Sequence, residues 1–335
     1  MATAKTNTGK QQVSSPITNG RRRKNNSSYT STGKKKSPIF YLKKDWQLYV
    51  LLILPLLFAL LFKYGPMTGL VISFKDYKII RGFWDSKWVG FDVFKRIFSD
   101  KQFWSATRNT LLLNGLTLLA GFPVPIILSL LLNELTGKYF KRITQTVLYL
   151  PHFLSWVVIG ALAYQLFGYG DGAINNLLES LGASRIPFLQ EDVNWLISYV
   201  LINVWQTMGW STIIYLASIS SVNVELYEAA TMDGAGRWAK MLYVTLPAIR
   251  GTIVTLLIMN LGKVMGGSFE TVDALSNVAT TEFTRTIPVL VYRTGILNGK
   301  YSQSTAIGLF QSVIGLILVL VTDRIAKKLG EDGLI

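Results

Sequence analysis

The chain has 335 residues, half of them hydrophobic, with a net charge of +15 and no cysteine. The missing cysteines exclude disulfides, thiolate chemistry and Cys-built metal sites, and the single histidine, His152, excludes a His-rich metal cluster. Residues 1–44 hold 11 Lys/Arg and no acid, so they supply +11 of the charge and the remaining chain only +4.

Residues 1–44 are also rich in Ser, Thr, Asn and Gly. Such a segment cannot bury enough apolar surface to offset its ordering entropy, so a disordered basic cytoplasmic tail is expected. Beside a membrane segment, its charge suits anionic membrane lipid rather than nucleic acid. It is too long, and lacks a small-residue cleavage pattern, for a signal peptide.

Trp46–Phe62 follows with 17 residues free of charge and reads as a retained first membrane helix, reaching toward Tyr64. Further charge-free runs are Asn109–Asn133 (25 residues), Ile143–Gly170 (28), Val193–Val224 (32) and Tyr301–Thr322 (22). A bilayer-spanning helix needs roughly 20 mainly apolar residues. Ala248–Phe269 is a sixth candidate, interrupted by Arg250 and Lys263. The expectation is an all-α membrane protein with six transmembrane helices over residues 45–325. Residues 326–335 form a short cytoplasmic C-terminus. Pro123 and Pro125 predict a kink in the second helix.

Lys and Arg should concentrate in short cytoplasmic loops. With the tail inside, Lys138, Lys141 and Arg142 fall inside, as do Arg237, Lys240, Arg250, Arg324, Lys327 and Lys328. Loop 168–194 falls outside, with one Arg against four acids. Lys63–Lys101 fits less well, with eight Lys/Arg, but it is long and well mixed with Asp. Both termini are expected in the cytoplasm, in a multi-pass protein of the cell membrane. The aromatics of 64–106, Trp84 and Trp88 among them, suit an interfacial belt better than a docking surface for an external partner.

Residues 220–247 form a polar insert between two apolar runs. Ser220 to Asn223 can cap a short helix ending near Met232. Asp233-Gly234 signals a turn, and Gly supplies the backbone freedom to reverse direction. A second helix is expected from about Gly236 to Leu246, with Pro247 opening the next membrane helix. The product is a helix-turn-helix hairpin on the membrane face. Ala229 and Ala230 keep it flat enough for another protein to approach. An ordinary interfacial hairpin is the alternative.

Other residues carry weaker signals. Lys263 sits roughly 22 Å up its helix from Ala248. It either snorkels toward lipid headgroups or faces a pathway. His152, alone in an apolar run, reads as hydrogen-bonded structure rather than chemistry. Trp156, Asn203, Trp205, Gln206, Trp210 and Asn260, with Lys263, are candidates to line a substrate path. Aromatic faces and amides suit a sugar's C–H faces and hydroxyls. No Walker A is present; the Gly295 to Lys300 stretch has the wrong spacing for a phosphate cradle.

The insert reads EAATMDGAGRWAKMLYVTLP from Glu228 to Pro247. Its Glu-Ala-Ala, three residues, Gly234, nine residues and Val-x-Leu-Pro resemble the coupling loop of permease subunits in bacterial ATP-driven importers. Val244 stands where that pattern normally has Ile. Further stretches resemble the sugar-importing, maltose-permease-like branch of this binding-protein-dependent family: Trp88 to Asp92, Phe103-Trp104, Asn109-Thr110, Tyr149 to Phe153, Trp205 to Trp210 and Leu226-Tyr227. Tyr64-Gly-Pro66, Ser73 to Tyr77 and Pro151 to Trp156 are most similar to the subgroup for complex oligosaccharides or polysaccharide fragments.

The resemblance covers residues 45–325 and implies a type I ABC importer permease fold. It implies Glu228, Ala229, Ala230, Asp233 and Gly234 as residues coupling to a cytoplasmic ATPase dimer. It implies a second, non-identical permease subunit, an extracellular solute-binding protein and an oligosaccharide substrate. The chain would then be no enzyme and hold no cofactor, ATP and Mg being bound by the partner ATPase. A non-sugar cargo is one alternative. A polytopic membrane enzyme is another, but it needs a nucleophile–base pair or paired carboxylates at membrane depth, and the acids sit in loops.

Overall fold

The computed structural model describes residue 44, residues 46–280 and 284–328, and residues 330 and 333. The expected disorder of residues 1–44 therefore falls outside the described residues but for Lys44. The chain divides into two units, residues 1–65 and 66–335. In the first, helix α1 (Trp46–Ala59) is followed by a π-turn over Leu60–Tyr64. No residue of α1 is buried. An all-round apolar, unburied surface is what a helix in hydrocarbon presents.

The second unit opens one residue into a 3₁₀ run, Gly65–Phe74, and continues with a two-residue antiparallel ribbon, β1 (Lys75–Asp76) with β2 (Lys87–Trp88). Ser302 Oγ donates to the Lys75 carbonyl at 2.7 Å and accepts from the Tyr77 amide at 2.9 Å, tying the ribbon to the last helix. The helices α2 (Asp92–Phe98), α3 (Lys101–Gly121) and α4 (Pro123–Asn133) follow. Next come α5 (Lys138–Tyr149), a 3₁₀ turn Leu150–Phe153, α6 (Trp156–Phe167) and α7 (Ala173–Ser180). Then α8 (Asp192–Ser220) leads to α9 (Val224–Met232), α10 (Arg237–Lys240) and α11 (Leu246–Ala248). The chain closes with α12 (Arg250–Lys263), α13 (Phe269–Leu275), α14 (Ile287–Tyr292) and α15 (Tyr301–Lys328).

Among the described residues, three helical runs are long and apolar enough to cross a membrane: Trp46–Phe74, Lys101–Asn133 and Tyr301–Lys328. Two bent pairs raise the number to five. The expected span Val193–Val224, which is not among these five, corresponds to α8. At 29 residues it is long enough, but Asn194, Asn203 and Gln206 make it less apolar than the other three. Pro123 and Pro125 interrupt the second span only at Phe122, and the two halves remain one run of 33 residues.

Two expected spans are not straight. Ile143–Gly170 turns by 104° between the 3₁₀ turn and α6. Pro151 sits in that turn, and Leu154 and Ser155 are extended, with Ser155 Oγ capping the Val158 amide at 3.4 Å. Proline removes a helical donor there, so the corner costs less than it would in an unbroken helix. Ala248–Phe269 is likewise corrected: α12 meets the preceding helical run at 61° and ends at Lys263.

Buried side chains gather in three clusters. One joins α3, α6, α8, α13 and α14 through Leu113, Ile159, Trp195, Val272 and Val289. A second joins α2, α3, α14 and α15 through Ile97, Phe103, Leu290 and Ile307. The third holds α4, α8 and the π-turn Met241–Thr245 together through Leu130, Tyr215 and Met241. The aromatics of the ribbon region pack on one another, Phe74 stacking on Trp88 with ring centres 5.8 Å apart. Trp84, at 84% exposure, remains open.

Broken helices inside a membrane protein need partners for their freed backbone groups. Buried Asn109 donates to the Arg285 carbonyl at 3.1 Å, and Thr110 Oγ1 accepts from the Ile287 amide at 2.8 Å. Trp195 Nε1 donates to the carbonyl of Leu275, the last residue of α13, at 2.8 Å. Replacing fully buried Trp195 with Phe removes that donor and leaves a small void. A stability loss of about 1–3 kcal/mol is expected, read as a lowered thermal midpoint of the detergent-purified chain. An unchanged midpoint would mean that this bond holds nothing.

Candidate functional site

The membrane helices enclose one side of a cavity of about 950 Å³. Its walls are regular helical stripes. Asn114, Thr117, Leu118 and Gly121 face it from α3, and Leu256, Met259, Asn260 and Lys263 from α12. Residues spaced three, four and seven apart share one face of a helix. α8 contributes Asn203, Thr207, Trp210, Ser211 and Ile214, and α15 contributes Gln311, Ser312 and Gly315. The adjoining edge of α8, with Trp195, Ser198, Tyr199, Ile202 and Gln206, is buried in the core.

Four of the seven path candidates therefore line this cavity: Asn203, Trp210, Asn260 and Lys263. Trp156, Trp205 and Gln206 do not. Trp156 packs against the first hydrophobic cluster and Gln206 is buried. Trp205, two residues beyond Asn203, points about 200° around the helix from it and is exposed. Asn114, Thr117 and Gln311 were not anticipated; the polar stripe spacing in α3 and α15 was the signal that could have found them.

His152 departs from expectation. It lines the cavity and stacks on Trp210, with ring centres 4.7 Å apart and planes 13° from parallel. Its Nδ1 and the Thr117 Oγ1 are buried without a hydrogen-bond partner among the described residues. Buried polar atoms are rarely left so. The stack is set by a close backbone crossing: a Cβ on Gly209 would lie 2.7 Å from the Leu148 carbonyl carbon and 3.0 Å from Tyr149 Cα. Only glycine lets α8 come this near the end of α5.

The hairpin is a separate feature. Asn223 caps α9, its side chain accepting from the Glu225 amide at 3.0 Å. After Asp233 the chain reverses through Gly234, whose φ is +77°. The Gly234 amide donates to Thr231 at 3.0 Å and the Ala235 amide to Ala230 at 2.8 Å. This pair of bonds is the Schellman closure of a helix. Tyr227 and Thr245 hydroxyls meet at 3.0 Å and join the two arms. The second arm is not one α-helix to Leu246: α10 gives way to the π-turn at Met241. Glu228, Ala229, Asp233 and Gly234 are exposed and Ala230 is half-buried. Met232, Trp238 and Tyr243 stand beside them, 89%, 70% and 79% exposed.

Comparison with known proteins matches residues 121–331 to the family described as binding-protein-dependent transport system inner membrane component. The chain is 45% identical over 305 residues to Protein LplB of Bacillus subtilis, covering 91% of this chain and 96% of LplB. It is 43% identical over 301 residues to the polygalacturonan/rhamnogalacturonan transport system permease protein YteP of the same organism, covering 90% and 94%. Among solved structures, it superposes with a TM-score of 0.80 and 37% identity on a chain of a bacterial alginate ABC transporter in complex with alginate pentasaccharide-bound periplasmic protein. That match covers 88% of this chain and 99% of the other. A membrane enzyme would need its own chemistry, whereas the matched family and relatives are transport permeases. With apolar spans, a half-enclosed cavity of mixed lining and a polar hairpin in one polypeptide, this chain belongs to the binding-protein-dependent transport system inner membrane component family.

Proposed function

We infer that this chain is one of two membrane subunits of an ATP-binding-cassette importer for oligosaccharides or polysaccharide fragments. The observation that carries this reading is the chemistry of the cavity. Amides, hydroxyls and one stacked aromatic pair, set among aliphatic side chains such as Leu118, Leu256 and Met259, line a space large enough for several sugar rings. The named relatives YteP and the alginate transporter carry cargo of that class in their names. The cavity is walled on one side by this chain, and a second, non-identical permease would complete it.

In this reading both termini and the hairpin are cytoplasmic. Glu228, Ala229, Ala230, Asp233 and Gly234 meet an ATPase dimer, which binds the ATP and Mg. An extracellular solute-binding protein delivers the sugar. ATP binding must stabilise one of two helix arrangements over the other, since a ligand shifts an equilibrium only by its differential affinity.

The test is purification of the tagged chain from native membranes in mild detergent, followed by mass spectrometry. Recovery of a second permease, an ATPase and a binding protein, with sugar-stimulated ATP hydrolysis, is the expected outcome. A chain recovered alone, under conditions that keep other such complexes whole, would sink the reading.

A further inference from the structure

We propose that Lys263 reads a carboxylate on the cargo, so that this cavity selects acidic oligosaccharides built from uronate-type sugars. The proposal rests on the importer reading above and narrows its substrate class.

The charge distribution of the cavity is one-sided. Lys263 is the only Lys, Arg, Asp or Glu among its lining residues. Among the described residues no carboxylate lies within 4.0 Å of its ammonium. An unneutralised ammonium in a membrane-spanning segment carries a free-energy cost, and such residues face a cavity or a partner rather than lipid. Snorkelling would take the side chain toward lipid headgroups, but Lys263 lines the cavity. Complementing the C-terminal dipole of α12 accounts for a cation at that helix end. It does not account for a cavity lined without a single acid.

The backbone that carries the cation is held in place. Asn114 of α3 donates to the carbonyl of Val264, the next residue, at 2.7 Å. The left-handed Gly267, with φ +77°, lets Asn114 approach; a Cβ there would sit 2.8 Å from its Nδ2. On the other side Gly262 lies against Val319 of α15, leaving no room for a Cβ. Lys263 thus hangs from a backbone fixed by two neighbouring helices, and its exposed side chain reaches into the open cavity from that fixed point.

The surroundings fit a sugar acid rather than a phosphate. The unpartnered Thr117 Oγ1 and His152 Nδ1 suit ring hydroxyls, and Trp210 offers a face for a pyranose. One ammonium balances one carboxylate. A phosphate dianion calls for a second cation or an arginine fork, and neither lines the cavity. A neutral sugar would leave Lys263 without a counter-charge while displacing its water, and that loss is what discriminates.

The absence of cysteine permits a test that does not depend on refolding a variant. The complete importer is reconstituted in proteoliposomes carrying Lys263→Cys. Uptake of an oligouronate panel, oligogalacturonates and alginate oligosaccharides, is compared with that of the same oligosaccharides after carboxyl reduction. The thiol is then modified with an aminoethyl methanethiosulfonate, which restores a positive charge, or with its sulfonatoethyl counterpart, which adds a negative one. Wild-type importer treated alike controls for partner thiols. The expected result is uptake of acidic sugars by the wild type, a fall of about tenfold in Lys263→Cys, rescue by the aminoethyl reagent and none by the sulfonatoethyl reagent. Lys263→Arg should keep the acidic preference. Undiminished acidic uptake by Lys263→Cys, equal rescue by both reagents, or a wild type that imports only the reduced panel would overturn the proposal and leave the sugar importer standing. A wild type that imports neither panel would overturn both.

Discussion

Gly209→Ala should clearly lower the stability of the fold, and Gly209→Val should lower it further. The atoms that a side chain at 209 would meet are all backbone: the Leu148 carbonyl and Tyr149 Cα. They cannot swing aside as a flexible side chain would. Accommodation must push α8 away from the end of α5, opening the third hydrophobic cluster, which takes Tyr215 and Ile219 from α8. Overpacking of this kind costs about 1–3 kcal/mol for a single methyl, and a larger side chain raises it. The displacement would also part His152 from Trp210, the residue that follows Gly209. Gly308→Ala is the matching control. It lies inside α15 with nothing within 4 Å of its added Cβ, and Ala is favoured over Gly in a helix by about 0.5–1 kcal/mol. Monodispersity and thermal midpoint of the purified chain read the contrast. A Gly209→Ala protein as stable as Gly308→Ala would mean that the two helices do not meet as closely as described.

How much of this was legible beforehand depends on the element. Charge-free length marked α3 with α4, and α15, because composition alone decides whether a helix tolerates hydrocarbon. The hairpin was legible for a different reason. Asn223, Asp233 and Gly234 carry local backbone chemistry, and the turn came where those residues stand. What stayed hidden was direction. Ile143–Gly170 is uniformly apolar, and nothing in its composition reveals that the chain turns by 104° after Pro151. The site was half legible for a related reason. Asn203, Trp205, Gln206 and Trp210 are alike in chemistry, and the helical period sets only Trp205 apart; it places Gln206 on the same side as Asn203 and Trp210, and the packing of neighbouring helices, which no local pattern encodes, is what buries Gln206 while the other two line the cavity. The same period, applied to Asn114, Thr117 and Gly121, would have exposed the α3 stripe. The closeness of α5 to α8 was not legible at all. It depends on residues 61 positions apart, Leu148 and Gly209, whose contact no local pattern encodes.

Gly234→Val should separate assembly from coupling. The added side chain has open space around it, since nothing lies within 4 Å of a Cβ at this position. The penalty is therefore conformational. At φ +77° an L-residue pays roughly 1–2 kcal/mol, and a β-branched one fares worst. Relief comes by abandoning the two closing bonds to Thr231 and Ala230, which lets the exposed end of α9 drift from its partner arm. The buried clusters lie elsewhere, apart from Met241, so the chain should reach the membrane in wild-type amount. In the reconstituted importer, sugar-stimulated ATP hydrolysis should fall by about tenfold or more, the scale set by such a local free-energy change. A graded series isolates the cause. Gly234→Asn, whose short polar side chain enters the left-handed region most readily, should retain most of the coupling, with Ala intermediate and Val lowest. Equal losses for Asn and Val would point to contact with the ATPase surface rather than to backbone shape. Full coupling in Gly234→Val would remove this hairpin from the proposed path of energy transfer.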